Sequence, residues 1–149
     1  MRALWFACTI VAFGTPAIAA TDVVFTGSVT DTCTLAVPTP GTMTLSGDGK
    51  TLGSDQSLGV PATVTVLSLG SNSVTLGAPT LTDSPVGYGG GETVQMSYSG
   101  LASHAYTTAQ QSIPLGILPL TSLIINMQVI NTAGFVQGTY KAKTVLTCS

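Results

Sequence analysis

The apolar residues of this chain fall on alternate positions, segment after segment. In "PATVTVLSLG" Ala62, Val64 and Val66 alternate with threonines, and in "ETVQMSYSG" Val94, Met96 and Tyr98 oppose Thr93, Gln95 and Ser97. "SLIINMQVIN" sets Leu123, Ile125, Met127 and Val129 on one side, and "TYKAKTVLTC" aligns Tyr140, Ala142, Leu146 and Cys148 opposite Lys141 and Lys143. A period of two puts such residues on one face of a β-strand. Gly, Pro, Ser and Asn separate the runs, with Gly70-Ser71-Asn72 reading as a turn into "SVTLGAP". The pattern predicts a single all-β domain, an immunoglobulin-like antiparallel β-sandwich of six to eight strands.

Ile113 to Ile130 carries no charge and approaches the ~20 residues of a membrane helix. Pro114, Gly116 and Pro119, together with the alternation of its second half, predict instead a Pro-rich loop followed by a buried strand. The first twenty residues have another character. Arg2 precedes the short apolar run Ala3 to Phe13, and Ala17-Ile18-Ala19 fits an A-x-A cleavage pattern. Residues 1–20 therefore read as a signal peptide cut after Ala19 or Ala20, with 21–149 as the exported domain and no transmembrane segment left in it.

Export changes how the cysteines are read. Cys8 leaves with the leader, so Cys33 and Cys148 remain, an even pair that predicts a disulfide. Past Arg2, three lysines stand against six acids. A weakly acidic chain offers no footprint for nucleic acid. Only 7% of the residues are charged, so little repulsion opposes self-association.

Candidate chemistry is sparse. His104, the only histidine, lies in "GLASHAYTT" without a G-x-S-x-G elsewhere and reads as an exposed loop residue. "GYGGGE" lacks phosphate-loop spacing and a lysine, and reads as a flexible hairpin tip. Asp48 and Asp55 in "SGDGKTLGSDQS" lack the alternating ligands of a calcium loop. One histidine and an oxidised cysteine pair assemble no zinc site. The tyrosines read as scattered, and Trp5 belongs to the leader. These residues predict no enzyme, no cofactor and no metal site.

The stretch "VVFTGSVTDTC" carries more. Val23, Phe25, Gly27 and Val29 share one face of a predicted strand that ends at Cys33, and the last strand begins with Gly-x-Tyr at Gly138. These two ends resemble pilins of the chaperone–usher pathway, including the branch related to spore coat protein U. The resemblance implies a sandwich lacking one strand, filled by the N-terminal strand of a neighbouring subunit. Val23, Phe25 and Val29 would then be the inserted side chains, with Gly27 where the groove leaves no room. It also implies a structural subunit of a surface filament or coat, with pilin-type neighbours, a periplasmic chaperone and an usher as partners. The chain departs from the pilin pattern in pairing its first cysteine with one near its end. It also lacks the phenylalanine-glycine segment usual after the first cysteine in the coat-protein branch.

A second geometry stays open. Residues 23–32 running parallel beside 139–147 would bring both cysteines to one end and complete the sandwich from within. A disulfide spans about one inter-strand distance, so it favours this self-completed fold unless the bridge lies beyond the end of a donated strand. The alternative function is a self-contained monomeric secreted sandwich, acting as a binding module for carbohydrate or another surface.

Overall fold

A computed structural model describes residues 24–28, 32–70, 72–116 and 118–149. In chain order the strands are β1 Thr32–Thr39, β2 Thr44–Leu45, β3 Thr51–Gly53, β4 Ala62–Leu69, β5 Ser73–Leu76 and β6 Thr80–Asp83. They continue with β7 Thr93–Gly100, β8 His104–Thr107, β9 Gln111–Pro114, β10 Leu118–Ile130, β11 Lys141–Lys143 and β12 Leu146–Cys148. All described pairings are antiparallel. No helix among the described residues is long and apolar enough to cross a membrane, and the uncharged stretch from Ile113 to Ile130 supplies β9 and β10.

The short strands are pieces of longer ladders. β1 pairs with β4 and β2 with β3, with Thr42 bridging Val60 between them. β10 is the spine of this sheet: β4 and β3 share one of its edges and β7 the other, with β8 beyond β7. In the second layer β12 pairs with β5, β5 with β9, and β11 with β6. Gly77 donates its N–H to the Val145 carbonyl at 2.8 Å, joining β5–β6 and β11–β12 into one bent ribbon.

The alternating apolar residues make the core between the layers. Val64 and Val66 of β4, Met96 and Tyr98 of β7, and Leu123 and Ile125 of β10 pack against Val74, Leu76, Ile113 and Leu115 of the second layer. Each such side chain contributes about 1.5 to 3 kcal/mol when fully buried. Ser68 breaks the apolar row of β4 yet is buried, and its hydroxyl accepts a hydrogen bond from Asn72 Nδ2 at 2.9 Å. The amide thereby ties the β4–β5 turn to the sheet, satisfying a polar group that would be costly if left unpaired.

Three sequence expectations are corrected here. Cys33 stands at the start of β1, not at the end of a preceding strand, and residues 24–28 form no strand. "GYGGGE" is not a hairpin tip, because β6 and β7, which it joins, belong to different sheets. His104 opens β8 instead of lying in a loop, although it is exposed as expected.

Candidate functional site

Besides the edges formed by β8 and β9, each layer has one edge that carries no strand pairing among the described residues. In the first layer it is the outer edge of β1–β2, and in the second the outer edge of β11–β12. Unpaired edges present a row of backbone N–H and C=O groups ready to accept another strand. The two edges are tied at one end, where Cys33 opens β1 and Cys148 closes β12, with their Cα atoms 6.0 Å apart in a disulfide. Beyond the bridge the edges enclose an open groove of about 800 Å³.

The walls of the groove come from the first and last strands and the segments beside them. Val37 and Met43 line it from the first edge; Tyr140, Ala142 and Leu146 line it from the last. Its floor is core. Leu52, Ala62 and Met127 lie there only half-buried, whereas Val64 and Ile125 beside them are fully covered. The apolar layer is therefore incompletely covered along this one side. Among the described residues Lys141 and Lys143 are the only charged ones on the groove wall, and both are exposed. Lys141 Nζ lies 3.4 Å from Asp83 Oδ2, an exposed pair that adds little stability.

The last strand is led into position by the residues before it. Tyr140 donates its hydroxyl to the Val136 carbonyl at 2.9 Å and accepts from the Val136 N–H at 3.1 Å. Gly138 has φ +151° and passes against Pro85, whose side chain occupies the place a Cβ would take. A side chain there would push the strand away from β6, which gives the Gly-x-Tyr spacing a steric reason.

No family model, curated protein or solved structure matches this chain. The site must be read from its own residues.

Of the expected assembly residues, Phe25 and Gly27 are described and Val23 and Val29 lie outside the described residues. Phe25 is 91% exposed, Val24 is 79% exposed, and nothing lies within 4 Å of where a Gly27 Cβ would stand. Neither Phe25 nor Gly27 fills the chain's own groove, and residues 24–28 make no parallel pairing with the last strand. The bridge lies beyond the groove's end, since neither cysteine is among the residues that line it.

Two other features bear on function. Tyr88, Phe135 and Tyr140 converge, contrary to the expectation of scattered tyrosines. Tyr88 stacks on Phe135 with centroids 6.0 Å apart, and Tyr140 meets both edge-on at 5.2 Å. Asn131, 3% exposed, donates to the Tyr88 hydroxyl at 2.8 Å, and that hydroxyl donates to Glu92 Oε2 at 3.1 Å. Burial, reinforced by the Glu92 carboxylate, raises the Tyr88 phenol above its ordinary range, with the Asn131 donor offsetting part of this. The rings pack on one another, while the Tyr88 hydroxyl is spent on Asn131 and Glu92 and the Tyr140 hydroxyl on the Val136 backbone. Long separations in sequence hid this cluster.

His104 stacks on Tyr98 at 5.7 Å, and its Nδ1 lies 2.7 Å from the Ala105 carbonyl oxygen. A carbonyl only accepts, so Nδ1 carries the hydrogen. No hydroxyl or carboxylate among the described residues is hydrogen-bonded to this imidazole. Asp48 accepts from the Ser46 hydroxyl and the Lys50 N–H, which hold its carboxyl below the usual range within a β2–β3 turn.

Proposed function

We propose that the chain is an exported structural subunit of a surface filament or coat, assembling when residues 22–31 of one copy enter the groove of the next. The observation that carries this reading is the pairing of an open, apolar groove with an apolar segment that the fold leaves exposed. Donation would supply backbone partners to two unpaired edges and cover the half-buried floor.

The strand order supports the same reading. Lettered by ladders, β1–β2, β3–β4, β10 and β7 follow the order A-B-E-D, while β5–β6 and β11–β12 form C-F. An immunoglobulin-type sandwich has a seventh strand, G, beside F, and none stands there among the described residues. Tyr140, bonded to the backbone four residues upstream at the E–F corner, matches the tyrosine corner of that architecture. The disulfide is compatible with an oxidising compartment. A periplasmic chaperone shielding the groove before assembly, and an usher, are the further partners this reading implies.

The test is Phe25→Asp. With Phe25 almost wholly exposed, the substitution should leave the stability of the isolated subunit within about 0.5 kcal/mol and abolish oligomers seen by size exclusion. A variant that oligomerises normally, or one that unfolds, would overturn the reading; the second outcome would mean that the strand completes its own sandwich.

A further inference from the structure

Two of the chain's methionines line the groove and a third is sealed away from it. Met43 sits on the first edge and Met127 on the floor, both half-buried beside open space. Met96 lies at 0% exposure between the layers. Methionine suits a surface that must fit an entering strand, because its unbranched side chain adapts to an irregular partner. The same thioether is chemically vulnerable where solvent reaches it.

We propose that Met43 and Met127 are oxidation sites that gate the groove, with peroxide as the oxidant. A sulfur lone pair attacks the peroxide, the O–O bond breaks, an S–O bond forms and water leaves. The thioether loses two electrons and the peroxide gains them. In the empty groove the new sulfoxide faces water and costs the fold little. Beneath a docked strand its strong dipole loses that water, and the backbone of the strand is already committed to the two sheet edges. Burying an unpaired polar group is unfavourable, so oxidation closes the groove to strands while leaving the sandwich intact.

This inference rests on the assembly reading above, and the experiment separates the two. The full chain carrying Phe25→Asp, which can accept but not donate, is treated with hydrogen peroxide, mapped by mass spectrometry and titrated with a peptide of residues 22–31. Met43 and Met127 should oxidise while Met96 is spared, and peptide affinity should fall about tenfold or more. The same chain carrying Met43→Leu and Met127→Leu should bind peptide equally before and after treatment. Equal binding by oxidised and untreated chains overturns the gate, as does oxidation of Met96 as fast as the other two. Failure of the untreated chain to bind the peptide overturns the assembly reading, and the gate with it.

Discussion

Cys33 and Cys148 are 115 positions apart in sequence and 6.0 Å apart between Cα atoms. They fasten β1 to β12 at one end of the two edges that flank the groove. Closing so long a loop restricts the unfolded chain, worth roughly 4 to 5 kcal/mol on chain-entropy grounds. The bridge lies beyond the end of the groove and holds together the two strands that flank it.

Replacing both cysteines by serine should therefore lower the unfolding free energy by a few kcal/mol in denaturant titrations. Mass mapping of unreduced digests should recover a single peptide pair joined through Cys33 and Cys148. A free thiol at either position in the folded protein would contradict the structure.

The alternation that predicted the sandwich survives in detail. Leu123, Ile125 and Val129 are buried and Ala142, Leu146 and Cys148 point inward as the period of two requires. Period alone sees one strand at a time, however, and two kinds of information lie outside it. Thr42 and Val60 hold together a ladder whose halves look unrelated, because residues 54–61 leave it and return. Tyr88, Phe135 and Tyr140 meet only because the crossing from β6 to β7 and the β10–β11 corner reach the same end. The exposed Phe25 illustrates the opposite limit: its apolar row marked a strand, while Phe25 itself stands 91% exposed and residues 24–28 form none.

Tyr140→Phe should cost about 1 to 2 kcal/mol. It removes both bonds to Val136 while keeping the ring contacts with Tyr88 and Phe135. Urea titration should show a lower midpoint with an unchanged slope, since the surface exposed on unfolding stays the same. A midpoint equal to that of the parent chain would show that the corner does not hold the last strand in place.

Tyr106 gives a pH dependence with a definite sign. Its hydroxyl is buried without a hydrogen-bond partner among the described residues, and burial, followed by the nearby Asp55 carboxylate and offset in part by the Ser97 hydroxyl, pushes its pKa up to about 12. The unfolded phenol ionises near its ordinary value of 10.0, so between these values the unfolded chain binds fewer protons than the folded one. Stability from this group is complete below the unfolded value and is lost as pH rises through the folded one. Tyr106→Phe should leave neutral stability close to that of the parent chain and should flatten the alkaline decline. A decline of the same steepness in the variant would assign it to other groups.

The assembly reading predicts that two defects complement each other. A Phe25→Asp chain keeps an intact groove but donates a strand carrying a charge where an apolar side chain must enter. An Ala142→Trp chain keeps an intact donor segment, while the indole fills the groove from the last strand, where Ala142 faces the open space half-buried. Each chain alone should remain monomeric by analytical ultracentrifugation, for opposite reasons. Mixed in equal amounts they should form heterodimers and nothing longer, because the dimer offers one blocked groove and one spoiled donor. Strand exchange that instead completed each chain's own sandwich would give no mixed species at all. Longer oligomers in the mixture would mean that contacts other than the groove drive association, and would remove the donor segment from its assigned role.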